Sequence, residues 1–207
     1  MPIYTIDGGI GSGKTTVLEY LHTHYSFAID PEPVQRWLPY LEDMYKNGRG
    51  AFNFQVRVWL DRCWLQEKPA THMVMERSPF FQANVFVPIN AENGRLTDSE
   101  NQLLREMYDR SFRMWSPRGM IYLRSSPDNC LTRIQTRGRP EEMGITAEYL
   151  QRIHDFHETA YMHGIAMGLP IVCIETEGKT PAAIAGEVAT ALRIFGARSA
   201  RDPRDAR

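Results

Sequence analysis

Ile3-Tyr4-Thr5-Ile6-Asp7-Gly8-Gly9-Ile10-Gly11-Ser12-Gly13-Lys14-Thr15-Thr16 runs from an apolar, β-branched stretch into a glycine-rich turn and on into helix-compatible sequence. From Gly8 to Thr15 it is a complete GxxxxGK[ST] pattern, and a strand before it and a helix after it are the setting that pattern requires. The backbone N–H groups of Gly8, Gly9, Ile10, Gly11, Ser12 and Gly13 can turn inward around a phosphate chain, and the positive end of the following helix adds to the attraction. Lys14 is placed to reach the β- and γ-phosphates, Thr15 offers a hydroxyl to Mg²⁺, and Thr16 continues the cradle.

Working outward, short β-type runs at 3–7, 27–30, 72–76, 119–124 and 171–175 alternate with helical patterns near 13–24, 34–46, 52–68, 98–115, 127–137, 146–167 and 181–195. Such alternation predicts an α/β fold of P-loop NTPase type, a five-stranded parallel sheet with helices on both faces. In the 52–68 segment, Phe52, Val56, Trp59, Leu60, Cys63 and Trp64 recur at helical spacing and are expected to form its buried face. A chain of 207 residues suits one domain, expected over 1–195, and the Arg- and Asp-rich 196–207 stretch without apolar periodicity reads as a mobile C-terminal tail.

Composition narrows the function. A formal charge of -1 supplies no basic field for nucleic acid or an anionic membrane, so any affinity for phosphate is local. A mean hydropathy of -0.41 and the lack of an apolar run near the roughly 18 residues of a membrane span point away from a membrane protein. Cys63, Cys130 and Cys173 lack metal-site spacing and suit a reducing compartment, so a cytoplasmic location is expected. His22 and His24 lie on different helix faces, and His154 with His157 lacks further ligands, which argues against zinc. Trp59, Trp64 and Trp115 read as core residues without a basic stripe beside them.

The phosphate acceptor must be sought at the other strand ends, which face the ligand crevice of a parallel sheet. Glu32, just beyond the second strand, is placed either to take a proton from a hydroxyl or to be a solvated loop acid. Glu76 ends the third strand and can hold a metal, while Arg77 can bind phosphate or orient the acceptor. A direct Glu76–Arg77 pair would need a break in the strand, because neighbours on a strand point to opposite faces. Arg133, Arg137 and Arg139, at a helix end, either converge on a transferring phosphate or simply favour the helix C-terminus.

GSGKT at 11–15, Glu32-Pro33-Val34 with Trp37, Phe52-Asn53-Phe54-Gln55, Glu76-Arg77-Ser78, Arg137-Gly138-Arg139, and Glu141-Glu142 with Gly144-Ile145 and Tyr149-Leu150 follow one another between residue 3 and about 175. Together they resemble the deoxynucleoside kinase family. The resemblance implies ATP-dependent transfer of the γ-phosphoryl group to the 5′-hydroxyl of a deoxynucleoside in nucleotide salvage, with Mg²⁺ as cofactor, a homodimer as the assembly, and neither nucleic acid nor membrane as partner. It implies catalytic roles for Glu32 as base, Arg77 as its holder, Lys14 and Arg137, with a lid over about 137–145. By the same resemblance Thr15 and Glu76 serve the metal, Arg133, Arg137 and Arg139 serve ATP, and Tyr45 and Glu142 serve the 3′-hydroxyl. Phe54 and Gln55 would line the base pocket, and Val58, Arg62 and Gln82 would set base size and tolerance. Gln55 is expected to turn its amide to suit thymine or cytosine, and Gln82 to accept a hydrogen bond from Arg62, a combination that implies a pyrimidine preference. The competing expectations are a nucleoside monophosphate kinase such as thymidylate kinase, and a nucleotide-binding module without catalysis.

Overall fold

A computed structural model describes residues 3–48, 50–63, 73–114 and 117–199. Five strands, β1 (Ile3–Asp7), β2 (Ala28–Asp30), β3 (Met73–Glu76), β4 (Gly119–Arg124) and β5 (Ile171–Glu175), form one sheet in the order β2-β3-β1-β4-β5, every neighbouring pair parallel. The connections from β1 to β2 and from β3 to β4 run in opposite directions across the sheet, each passing the other's strand, and the carboxyl ends of these two neighbouring strands border the ligand crevice. The register pairs Ile6 with Glu76, which brings the glycine-rich turn and the Glu76-Arg77 dipeptide to opposite lips of that crevice.

Alternation along the buried strands sends side chains to both faces of the sheet. Tyr4, Ile6, Ile121 and Leu123 pack under α1 (Lys14–Tyr25) and α9 (Pro181–Ser199), while Met120 and Tyr122 pack on the other face against Phe81, Ile89 and α8 (Ala147–Ala166). A third cluster joins α2 (Val34–Asn47), α3 (Ala51–Cys63) and α6 (Asp98–Met114) through Trp37, Met44, Phe54, Val58, Leu104 and Tyr108. The remaining long helix, α7 (Pro127–Arg137), begins at Ser126, whose side chain accepts from the Asn129 N–H.

Three features depart from expectation. Residues 79–92, not expected to be regular, are helical: α4 (Pro79–Phe81) passes through a π-helical turn (Gln82–Phe86) into α5 (Val87–Glu92). Pro88 has no N–H and would clash with the carbonyl four residues back, and the widened turn, closed by Val87 N–H to Gln82 O, accommodates it. The buried residues of α3 are Ala51, Phe54, Gln55, Val58 and Arg62, whereas Leu60 is 39% exposed, so the helix is turned away from its most apolar stripe. Gln55 and Arg62 are buried because partners await them inside, which hydrophobic spacing alone does not register. Finally, α9 continues to Ser199, past the expected end at 195; the later tail residues, like Trp64 and Trp115, lie outside the described residues.

His157 is a core residue. Its ring stacks on Tyr122 and Phe81, Nδ1 meets the Ile153 carbonyl at 2.7 Å, and burial pushes its pKa down to about 3. No helix among the described residues is long and apolar enough to cross a membrane.

Gly119 at the start of β4 faces the Phe195 ring of α9, and a Cβ there would run into it. Gly119→Ala is therefore expected to destabilise the fold by about 1–3 kcal/mol through overpacking; a denaturation midpoint equal to the parent's would refute this packing.

Candidate active site

The turn after β1 is shaped by backbone that only glycine adopts without strain. Gly8 and Gly11 have φ of 148° and 80°, and a Cβ on either would come within 2.6 Å of a carbonyl oxygen, that of Leu123 or of Cys130. Lys14 folds back to donate to the Gly8 and Gly9 carbonyls at 3.1 and 3.0 Å, so its ammonium sits at the mouth of the loop. No side chain caps α1, which leaves the first N–H groups of that helix to an anion.

Across the crevice the backbone at Arg77 is left-handed, with φ of 66°. A side chain in that region is uncommon and needs surroundings that enforce it. Arg77 N–H donates to the Ile6 carbonyl at 2.9 Å, Ser78 N–H donates to Asp7 Oδ1 at 2.7 Å, and Ser78 Oγ caps α4 by accepting from Phe81 N–H. This is the break in the strand that adjacent residues need in order to face one site. Glu76 and Arg77 both line a cavity of about 300 Å³, together with Gly11, Gly13, Lys14, Thr15, Thr16, Glu32, Trp37, Phe54, Gln55, Phe86, Asn90, Arg137, Arg139 and Glu142.

The charged groups pair in order. Arg77 Nε donates to Glu32 Oε1, and its guanidinium lies 4.1 Å from the centre of the Phe86 ring. Burial pushes the Glu32 carboxyl up, but the charges of Arg77 and Lys14 pull it further down, so it stays ionised. Thr15 Oγ1 donates to Glu76 at 3.1 and 3.2 Å from its two oxygens. Burial and the negative charge of Glu32 raise the Glu76 pKa. An exposed hydroxyl beside a buried carboxylate, with a second carboxylate raising the proton affinity, fits a hard divalent cation that takes oxygen ligands.

Several expected residues stand elsewhere. Arg137 and Arg139 line the cavity, with both Arg137 nitrogens that donate engaged by Glu142 at 2.7–3.1 Å, whereas Arg133 reaches the Gly11 carbonyl at 3.4 Å and Ser125 at 3.3 Å. The three arginines thus do not converge on one point. Val58, Arg62 and Gln82 are fully buried and do not line the cavity. Arg62 does not bond Gln82: it donates to the Asp30 carboxylate at 3.0 Å and the Pro31 carbonyl at 2.9 Å, so its charge is neutralised by an acid that precedes it in the chain. Gln82 bonds Gln55 and Arg77 instead. The side chain of Tyr45 lies outside the described residues.

Asp7 and Asn90 escaped the sequence reading. A carboxylate at the carboxyl end of a central parallel strand is itself a signal, since such a position is buried and faces the crevice. Asn90 lines the cavity with Oδ1 buried and without a partner among the described residues, its Nδ2 donating to the Phe86 carbonyl; the helix that carries it was not expected.

A phosphate cradle, a carboxylate held by an arginine and an oxygen pair suited to a divalent cation, all on one cavity, define a phosphotransferase with an alcohol acceptor. The family model for deoxynucleoside kinase matches residues 4–191. Chicken (Gallus gallus) deoxycytidine kinase 2 is 30% identical, over 75% of this chain and 72% of its own. Human (Homo sapiens) mitochondrial thymidine kinase 2 is 30% identical over 84% and 71%, and mouse (Mus musculus) deoxycytidine kinase 30% over 77% and 75%. The chain belongs to the deoxynucleoside kinase family, and it is a kinase that takes a phosphoryl group from ATP.

The Asp7 carboxyl is fully buried, and burial raises its pKa to about 6 against the hydrogen bonds from Ser78 and Thr5 that lower it. The native state then binds the proton more tightly than the unfolded chain, so this residue's contribution to stability is full below the unfolded value of 3.8 and falls as pH rises through 6. Relative to Asp7→Asn, the parent is expected to lose about 2–3 kcal/mol between pH 4 and pH 7.5. Parallel stability curves for the two proteins would contradict the burial of this charge.

Proposed function

We propose that this enzyme moves the γ-phosphoryl group of ATP to the 5′-hydroxyl of a pyrimidine deoxynucleoside, thymidine or deoxycytidine, in nucleotide salvage. The observation that carries the reading is Glu32, ionised, held by Arg77 and facing Lys14 and the phosphate cradle across one cavity. In a loose transition state the acceptor proton needs a receiver in place more than a strong base, and a carboxylate kept ionised by two cations supplies one. Arg77 orients that carboxylate, and Lys14 follows the charge that moves with the phosphoryl group.

Thr15 and Glu76 would hold Mg²⁺, which would offset the charge of the phosphates. Arg137 and Arg139 would leave Glu142 for the phosphates as the 137–145 segment closes. That exchange would release the Glu142 carboxylate for the 3′-hydroxyl, the role the resemblance also gives to Tyr45. Arg133 supports the cradle from the Gly11 carbonyl. Phe54, Trp37 and Phe86 offer the base flat apolar walls, and Gln55 offers its edge a hydrogen-bonding group.

The pyrimidine choice rests on the nucleosides after which the relatives are named and on β-branched Val58 behind the wall. A monophosphate acceptor would need uncommitted cations for its phosphate, whereas Arg62 and Arg77 are both held by carboxylates. The homodimer is supported by exposed Leu103 on α6 and Met162 and Ile165 on α8, apolar side chains that a second copy would cover. Unpaired Cys63, Cys130 and Cys173 suit the cytoplasm.

The deciding experiment is a panel of the four deoxynucleosides and thymidine monophosphate with ATP. Thymidine and deoxycytidine should show the highest kcat/KM; a purine nucleoside or the monophosphate in first place would overturn the assignment. Glu32→Gln keeps the shape of the side chain but removes the proton acceptor, and should lower kcat about 10²-fold or more with ATP affinity retained. Turnover near that of the parent would take Glu32 out of the mechanism.

A further inference from the structure

Asp61, on α3, takes no part in the site described above, yet it gathers donors from two helices. Its side chain is only 7% exposed. Arg36 Nη1 donates to Oδ1 at 3.0 Å, Trp37 Nε1 donates to Oδ2 at 2.8 Å, and Arg57 donates to both oxygens, with Nε on Oδ2 at 3.0 Å. Phe54 and Asp61 stand two turns apart along one face of α3, and the Trp37 indole, from the first turn of α2, spans them. Its ring meets Phe54 edge to face, with centroids 5.9 Å apart, and its N–H meets Asp61. The indole is 2% exposed and lines the cavity beside Phe54, with the Arg77 guanidinium 6.0 Å from its centre.

These contacts are unequal. Arg36 is 63% exposed and Arg57 a quarter exposed, so either can turn to water in place of Asp61, and ion pairs of that kind contribute little. The indole N–H is buried with its ring, and without an acceptor it must stay unpaired or swing the ring toward water. We propose that Asp61 is a positioning residue for nucleoside binding: through the Trp37 N–H it fixes the plane of the indole, and with it the wall against which the phosphate acceptor is held. This deepens, and rests on, the deoxynucleoside kinase reading above. The catalytic carboxylate is secured separately. Glu32 is held by Arg77 and, through its own N–H, by Glu76 Oε2 at 3.4 Å, so a displaced indole loosens the substrate without removing the proton acceptor.

The acceptor and the charge can be separated. Asp61→Leu keeps the branched skeleton of the side chain and removes both. Asp61→Asn keeps one oxygen for the indole and turns its NH₂ to the arginines, which have solvent to move into. Arg57→Met removes a cation and leaves the Asp61–Trp37 bond in place. Trp37→Phe deletes the N–H from the ring side while Asp61 keeps both arginines, which keeps the test open should the leucine variant fail to fold. The measurements are KM for the deoxynucleoside that the parent uses best, KM for ATP, and kcat, on variants whose unfolding transition shows them folded.

Asp61→Leu should raise the nucleoside KM about tenfold or more, the scale of a buried donor left unpaired, with kcat within about threefold of the parent's and the ATP KM unchanged. Asp61→Asn and Arg57→Met should keep the nucleoside KM within about threefold of the parent's. Trp37→Phe should raise it as the leucine variant does, and Asp61→Leu placed on Trp37→Phe should raise it no further, because the two changes remove one contact. A parental nucleoside KM in folded Asp61→Leu or Trp37→Phe, or an asparagine variant as weak as the leucine one, would overturn the proposal. So would a fall confined to kcat, or an ATP KM that rises in step, since those are the marks of a generally loosened fold. A parent that turns over no deoxynucleoside would refute the substrate reading itself, and the positioning role with it, and is told apart because no nucleoside KM then exists.

Discussion

The site depends on the left-handed backbone at Arg77. On a continuous strand Glu76 and Arg77 would point to opposite faces of the sheet, one toward the crevice and one into a layer of apolar side chains. The turn that brings both to the cavity is opposed by the Cβ of Arg77 and persists because three contacts over-determine it: Ile6 O takes the Arg77 N–H, Asp7 takes the Ser78 N–H, and Ser78 starts the next helix. Asp7 is buried for this purpose. Its ionised form is disfavoured there, and the hydrogen bonds from Ser78 and Thr5 recover part of that loss.

Four cationic side chains on the cavity, Lys14, Arg77, Arg137 and Arg139, face three carboxylates, Glu32, Glu76 and Glu142. Without phosphate these charges are largely satisfied by one another and by loop carbonyls. In the proposed function nucleotide binding would proceed by exchange, with Lys14 leaving the Gly8 and Gly9 carbonyls and Arg137 leaving Glu142 for phosphate oxygens. An exchange of this kind keeps buried charge paired before and after, so the desolvation that makes an isolated buried ion untenable is never met in full. The Arg77–Glu32 pair is different in kind. Both partners are engaged with each other, and in the proposed function what the pair would offer the acceptor is orientation.

What could be read from the sequence was what is local. The β1–turn–α1 unit shows because its glycines, lysine and threonine sit at fixed spacing, and the alternation of strands and helices shows because each element carries its own period. Glu32, Glu76 and Arg77 were found because the ends of parallel strands face the ligand. The pairing of Arg62 was not legible: its acid, Asp30, lies 32 positions earlier and meets it only after β2 and α3 are placed. The buried face of α3 misled for a related reason, since Gln55 and Arg62 count as surface residues to any apolar pattern until their partners are known. Residues 79–92 carry Pro79 and Pro88, residues that interrupt a regular helical pattern in sequence.

Those prolines have separate effects. Pro79 stands at the first position of its helix, where the missing N–H is not needed. Pro88 denies a donor to the turn before it, and the chain answers by widening to the π-helical geometry over Gln82–Phe86. Such a turn has weaker hydrogen bonds than a regular helix, and its persistence calls for contacts that reward it. They lie on one side of the segment: Gln82 accepts from Arg77, the Phe86 ring lies against the same guanidinium, and Asn90, one turn on, lines the cavity. The carbonyls disturbed on the segment are partly taken up by side chains, Asn84 donating to Phe80 O and Asn90 to Phe86 O. A proline that reads as a helix breaker in one dimension thus supports, in three, the wall of the cavity against which the Arg77 guanidinium lies.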